Sequence, residues 1–352
     1  MNFVFPLLNL KKSGGVRIAI QYAEGLANLG YSVKIVTTRP DSNSFNISNK
    51  IDIEFVNSSN YLIKSNIILF FYFINRIKNS EVVISTSWQS TLISTLNFIK
   101  LKKIFYVIQH DDDIILNSKN LVKHLLFRII YMLPTNKITV SKWLREHLKS
   151  KYGVNSFHLS NGTNFEPFYF DLPPNGFKFE NTFTILCLAR SVVWKGFDDF
   201  LHSMEIVYKN FKNIKLVIVS QEIINFNTNI PFVIYKPTND FELCEIYRNS
   251  DIFVFTSWIE GFGLPPLEAL ANGCPVVSTA CGGVEDFLVN GSNSILVPIK
   301  SPNLIADSVL QLLNSETLRR KFITNGYNTA NKFQFKYTIK KFINFIDYNL
   351  NL

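Results

Sequence analysis

Runs of β-branched and aromatic residues recur along this chain: FVFPL at 3–7, VKIVT at 33–37, EVVIST at 81–86, KIFYVI at 103–108 and KITV at 137–140. The stretches between them are long enough for helices. Nearly continuous apolar strands that alternate with helices predict parallel strands joined by right-handed crossovers. In such sheets ligands bind at the carboxyl ends of the strands. A second series starts at TFTILCLA (182–189) and runs through IKLVIVS, PFVIY, DIFVFTS, CPVVST and SILVPI. The pattern predicts an α/β protein with two Rossmann-like units.

Between the two series, FEPFYFDLPPNGFKFEN (165–181) mixes Pro, Gly and aromatics with neither helical nor strand periodicity, the mark of a linker. The expected organisation is an N-terminal domain at 1–165, a linker at 166–181 and a C-terminal domain at 182–331, with a ligand cleft beside the linker. A length of 352 residues suits this division, because single cores stop growing at roughly 250–300 residues. In the tail, 332–352, Phe335, Ile339, Phe342, Ile343 and Ile346 fall at helical spacing. An amphipathic helix is expected there, able to pack on either domain, including back on the N-terminal one.

Hydrophobic residues make up 47% of the chain and charged residues 18%, which supplies apolar mass for two cores and argues against disorder. The longest apolar run, IILFFYFI at 67–74, falls short of the roughly 20 residues a bilayer span needs and reads as a buried helix. The opening MNFVFPLLNL shows neither a basic leader nor a small-residue cleavage site, so a cytoplasmic location is expected. Cys187, Cys244, Cys274 and Cys281 lack Cys-x-x-Cys spacing, and three lie in or beside apolar stretches. Reduced core thiols are expected rather than disulfides or zinc ligands.

Charge alters this picture. The net charge is +9, but residues 1–165 carry 20 Lys/Arg against 9 Asp/Glu, whereas the remainder carries 16 against 18. A basic first half suits an anionic partner, and acidic headgroups or a polyprenyl-diphosphate acceptor fit better than nucleic acid. The aromatic, lysine-containing segment NYLIKSNIILFFYFINRIKNS (60–80) is the expected place of peripheral contact with an anionic membrane.

The chemistry concentrates in DIFVFTSWIEGFGLPPLEALANGCPVV. A strand at 252–255 leads into a turn with Gly261 and Gly263, then into a helix with Pro265 and Pro266 in its first turn. Glycines let the backbone approach a ligand closely, and the N–H groups around Phe262, Gly263 and Leu264 favour negative charge. Glu260 precedes the turn and Glu268 lies about one helical turn inside, so two carboxylates can meet the hydroxyls of one bound molecule. Structural readings stand beside this one: Glu268 favouring the positive end of the helix, and Glu260 as a solvated loop acid.

Two glutamates around GFGLPPL, followed by ALANGCPVVST, resemble the signature of the family 4 retaining glycosyltransferases, also described as glycosyl transferases group 1. The resemblance implies the GT-B fold, two facing Rossmann-like domains with a cleft between them. LARSVVWKGFDDFL (188–201) resembles the family's Arg-x-x-x-x-Lys-Gly segment, which implies that Arg190 and Lys195 hold the donor diphosphate. LKKSGGVRIAIQYAEGLANLGYSVKIVT (10–37) resembles the family's opening and implies that Gly14 and Gly15 approach the diphosphate or sugar. His110, after KIFYVI, resembles the histidine placed near the transferring sugar. ITVSKWLREHLKSKYG and LSNGTN also follow the pattern, so Asn161, Gly162 and Thr163 are candidate cleft residues.

The implied enzyme is a hexosyl or other glycosyltransferase using a nucleotide sugar, with Glu260, His110, Arg190 and Lys195 as catalytic candidates and Glu268 on the ribose. Bound cations can neutralise the leaving diphosphate, so no cofactor and no metal are expected. Asp111, Asp112 and Asp113 form an acidic run that reads as a solvated loop rather than a metal site. Acceptors would be glycans or lipid-linked saccharides, in bacterial envelope polysaccharide synthesis such as O-antigen, capsule or exopolysaccharide.

Two departures bear on donor contacts. Gln221, Glu222 and Ile223 follow IKLVIVS where the family shows a glycine-rich turn. Lys236 and Pro237 follow Tyr235 where relatives often have glycine, in the loop that commonly borders the base. Alternatives at this point are a nucleotide-sugar 2-epimerase, a glycosyl phosphorylase or a catalytically silent binding subunit of a glycosyltransferase complex, since fold alone does not fix reaction.

Overall fold

The computed structural model describes residues 1–11, 13–37, 45–55, 81–96, 103–115, 121–165 and 182–350. The expected linker at 166–181 and the segment 60–80, with its apolar run, lie outside the described residues. The chain forms two compact units, Met1–Ser160 with Lys336–Leu352, and Asn161–Phe335.

The first unit carries β1 (Asn2–Pro6), α1 (Gly14–Asn28), β2 (Ser32–Thr37), β3 (Asp52–Phe55), β4 (Glu81–Ser85), α2 (Trp88–Leu96), β5 (Ile104–Ile108), α3 (Asp112–Ile115), α4 (Leu121–Met132), β6 (Asn136–Thr139), α5 (Lys142–Tyr152) and β7 (Phe157–His158). Its sheet is parallel throughout, in the order β3-β2-β1-β4-β5-β6-β7. Every residue of β5 is buried, as expected of a central parallel strand covered on both faces. The order reverses between β1 and β4, so the loops after these strands flank the crevice where such sheets take ligands.

The second unit carries β8 (Phe183–Leu188), α6 (Phe197–Asn210), β9 (Ile214–Val219), β10 (Phe232–Tyr235), α7 (Asp240–Arg248), β11 (Ile252–Phe255), α8 (Leu264–Ala271), β12 (Val276–Thr279), β13 (Ser294–Val297), α9 (Pro302–Asn314) and α10 (Glu316–Lys332). Its parallel sheet runs β10-β9-β8-β11-β12-β13. Here the reversal lies between β8 and β11, which pair directly, Phe253 beside Leu186. Ile185, Leu216, Ile252 and Val277 on the sheet close the core against Phe200, Met204 and Val309.

The units divide after Ser160 rather than after residue 165. Thr163 accounts for the difference: its N–H donates to the Phe333 carbonyl at 2.9 Å and its carbonyl accepts from Phe335 at 3.0 Å, which binds 161–165 to the second unit. At Gly162 a Cβ would meet the Phe335 nitrogen at 2.5 Å, so only glycine permits this approach. The last helix, α11 (Phe335–Leu350), passes back into the first unit. Phe342 and Ile346 are fully buried, Phe342 beside Tyr22 with ring centroids 4.6 Å apart, and the Phe345 ring stacks on Phe157 at 4.2 Å.

Candidate active site

The second unit's loops after β8 and β11 lie side by side because these strands pair, and they are fastened to each other. Trp258 N–H donates to the Trp194 carbonyl at 2.7 Å, and Thr256 Oγ1 donates to the Gly196 carbonyl at 2.7 Å. Gly196 has φ 67°, and a Cβ there would meet the Thr256 carbonyl oxygen at 2.1 Å. The Lys-Gly pair is therefore pressed onto the end of β11. This brings Lys195 to Glu260, with Nζ 2.7 Å from Oε1. Trp258 is held in turn through its indole N–H, which donates to Asp199 at 2.6 Å.

Glu260 belongs to a frame of two turns. Its N–H donates to the Cys281 carbonyl at 2.7 Å, and its own carbonyl accepts from Gly283 at 2.9 Å. A Cβ on Gly283 would lie 2.2 Å from the Gly261 carbonyl oxygen, and one on Gly263, at φ 83°, would lie 2.5 Å from Val284. The Phe262 ring turns into the core against Phe287 at 5.2 Å, so at this position only the backbone can face a ligand. Gly263 precedes α8 without a side-chain cap, leaving the Leu264 N–H at an open helix start; Pro265 and Pro266 have no N–H to offer. Burial and the Glu260 charge push the Cys281 thiol far up, which keeps it neutral beside the site.

Glu268 is buried on α8 and accepts from the Tyr247 hydroxyl at 3.3 Å. Arg190 pairs not with Glu260 but with Glu222, Nε 3.0 Å from Oε1. Glu222 also accepts from the Ser191 N–H at 2.9 Å and the Ser191 hydroxyl at 2.6 Å. The Ser191 hydroxyl and N–H, with the Arg190 charge, outweigh burial and hold the Glu222 carboxyl below its ordinary range. Tyr235 ends the edge strand β10 and Lys236 and Pro237 follow it, tied to the same loop by Gln221 Nε2, which donates to the Pro237 carbonyl at 2.7 Å. Asn161 and Thr163 are buried, and Thr163 serves the backbone bridge described above.

In the first unit, Gly14 and Gly15 form the first turn of α1, whose Ser13 cap accepts from Val16 at 3.4 Å. A Cβ on Gly14 would meet nothing within 4 Å, and one on Gly15 would touch only Gln109 at 3.5 Å. Packing therefore gives no reason for glycine at either position. His110 lies beyond β5, partly exposed, with Nε2 3.2 Å from Asp112 Oδ1. Asp112 is braced by Tyr131, whose hydroxyl donates to Oδ2 at 3.1 Å.

The acidic run after His110 is not a solvated loop. The Asp111 side chain is fully buried, with His147 Nε2, Lys151 Nζ and Tyr152 Oη at 2.9, 2.9 and 3.1 Å. Asp113 takes His124 at 2.7 Å and Lys151 at 2.9 Å. The lysine on α5 is the cation these carboxylates surround, an arrangement that residue spacing did not disclose. The four cysteines are free and buried.

Two parallel-sheet Rossmann-like units, each with a strand-order reversal, define the GT-B architecture. A family model described as Glycosyl transferases group 1 matches residues 171–329, and one described as Glycosyltransferase Family 4 matches 12–166. The chain belongs to the glycosyltransferases of GT-B type. It is 29% identical over 237 residues to the capsular polysaccharide biosynthesis glycosyltransferase CapM of Staphylococcus aureus, covering 61% of this chain and 62% of that protein. The chain spans about three fifths of the length of the curated relatives it matches first. Two solved structures share the fold. Sucrose-phosphate synthase from Thermosynechococcus elongatus superposes with a TM-score of 0.82 at 15% identity, over 99% of both chains. Anabaena HepE in complex with UDP and glucose does so with 0.76 at 12% identity, over 97% of both.

Proposed function

We propose that this chain is a retaining, metal-independent family 4 glycosyltransferase. It moves a sugar from a nucleoside-diphosphate donor to a glycan or lipid-linked saccharide in bacterial envelope polysaccharide synthesis. The observation that carries this reading is the juxtaposition of Lys195 with Glu260 on adjoining loops at the β8–β11 reversal, with Arg190 on the same loop as Lys195. The donor diphosphate would draw Lys195 and Arg190 to itself. Glu260, released from its lysine, would accept hydrogen bonds from the sugar hydroxyls, while Glu268 serves the ribose.

As the bond from the anomeric carbon to the diphosphate breaks, the two cations take up the charge left on the leaving oxygen, the task a metal performs elsewhere. The acceptor oxygen bonds on the same face, and its proton passes to the diphosphate. His110, Gly14 and Gly15 enter on the resemblance of their motifs, as the groups near the transferring sugar. CapM's place in capsular polysaccharide synthesis and the UDP and glucose held by HepE support this assignment.

A thermal-shift screen with UDP-glucose, GDP-mannose, dTDP-glucose and ADP-glucose tests it, since ligand that binds only the folded chain raises the melting temperature. One base should stand out, with the shift unchanged by EDTA, and transfer should give a product of unchanged anomeric configuration. No shift with any donor, or an inverted product, overturns the proposal. Loss of transfer in EDTA overturns its metal independence.

Peripheral contact with an anionic membrane, from a cytoplasmic position, belongs to the same proposal. Val122, Leu125, Ile129 and Met132 form one stripe along α4 and are 51–74% exposed, on the unit that carries the basic excess. Among the described residues no helix is long and apolar enough to cross a membrane. Vesicles of phosphatidylglycerol should sediment the protein, and Leu125→Asp with Ile129→Asp should release it. Equal sedimentation of this variant counts against α4 as the contact.

A further inference from the structure

We propose that Glu222 is a positioning residue for Arg190, setting its guanidinium for a bound diphosphate. The proposal rests on the reading of Arg190 as a diphosphate ligand. The Glu222 carboxylate is engaged on both oxygens: Oε1 pairs with Arg190, Nε at 3.0 Å, and Oε2 accepts from the Ser191 N–H and hydroxyl. Ser220 anchors the loop from below, its hydroxyl donating to the Glu222 carbonyl at 2.9 Å and accepting from the Glu222 N–H at 3.0 Å. The acid is thus built into the loop after β9 as a rigid element.

Among the described residues Glu222 is the carboxylate that Arg190 pairs with. A guanidinium has five N–H donors in a planar fork, so one braced by a carboxylate can still offer N–H groups to phosphate oxygens. Arg190 is long, partly exposed and rich in rotamers, so a fixed carboxylate removes disorder that a ligand would otherwise have to remove. Glu222 occupies the place where the family resemblance leads one to expect a glycine-rich turn. A turn without a side chain could not hold Arg190, so this chain sets its diphosphate clamp by its own means.

The opposite role, a carboxylate that competes with phosphate for Arg190, predicts tighter diphosphate binding once the acid is removed. Calorimetric affinities for UDP and UMP, GDP and GMP, dTDP and dTMP, and ADP and AMP separate the two, using the pair whose diphosphate binds the unmodified chain. Glu222→Ala should weaken the diphosphate by about 10-fold and leave the monophosphate within about 2-fold. Arg190→Ala should do the same, and the double variant should lose no more than Arg190→Ala alone. Ser191→Ala, which leaves the acid in place, should give a smaller loss in the same direction. Unchanged or tighter diphosphate binding in Glu222→Ala, or additive losses in the double variant, overturns the proposal. An unchanged diphosphate-to-monophosphate ratio in Arg190→Ala overturns the assignment of Arg190 itself, whatever Glu222 does.

Discussion

Lys195 and Glu260, 65 residues apart, form an ion pair with Nζ 2.7 Å from Oε1. Neither is deeply buried, at 31% and 14% side-chain exposure, so the pair contributes under about 1 kcal/mol to folding. On the function proposed above, it keeps opposite charges where a charged donor would separate them. Lys195→Ala and Glu260→Ala should each lower sugar transfer by about 10²–10³-fold, the scale of losing one electrostatic contact to a transition state. Melting temperatures should stay within a few degrees of the unmodified chain. Near-normal turnover in both variants would contradict the assignment.

Gly14→Ala offers the converse test. Among the described residues, beyond its chain neighbours and its own helix backbone, the added Cβ meets nothing within 4 Å, and alanine favours a helix over glycine by about 0.8–1 kcal/mol. The variant should melt at the same temperature or higher, yet bind the donor more weakly if the diphosphate occupies that space. A melting scan beside a donor titration reads both quantities. Equal donor affinity would leave Gly14 without a role in the site.

The buried carboxylates beside His110 should govern acid stability. Burial pushes Asp111 up, but the His147 and Lys151 hydrogen bonds and the Lys151 charge outweigh it, and its pKa ends below the ordinary value. Asp113 shifts the same way, burial being outweighed by Lys151 and His124. A carboxyl with a depressed folded pKa contributes stability that is fully present above its unfolded pKa, about 3.9, and is lost as pH falls through the folded value. Urea unfolding should therefore show a steep loss below about pH 4 that Asp111→Asn flattens. At pH 7 Asp111→Asn should cost about 1–3 kcal/mol, since the buried charge-assisted bonds to His147 and Lys151 are weakened while Lys151 keeps Asp113 as a partner. A parallel pH profile for the variant would exclude this network as the cause.

Much of the fold could be read directly because parallel strands buried on both faces are nearly uninterrupted apolar runs. Strands β3 and β7 escaped that reading: Asp52–Phe55 lies half exposed on β2, and Phe157–His158 is only two residues long. Arg190, Lys195 and Glu260 were accessible through their motifs, and the structure explains the proximity of the last two through the β8–β11 pairing. Glu222, Asp111 and Tyr131 were not accessible in the same way. Their roles arise from partners 31, 36 and 19 residues away, and no local period records which side chains a crossover helix returns to a strand end.

The turns at 260–263 and 281–284 template each other through Glu260, Gly261 and Gly283. Gly283→Ala would force the Gly261 carbonyl to move and should cost about 1–3 kcal/mol and lower transfer together. Gly291→Ala, whose Cβ meets nothing within 4 Å but whose φ is 71°, is the control for backbone strain alone. Libraries aimed at a new donor should vary both turns as one cassette. A side chain accepted in one turn needs a compensating change in the other, and single-site scans would discard such pairs before they could be seen.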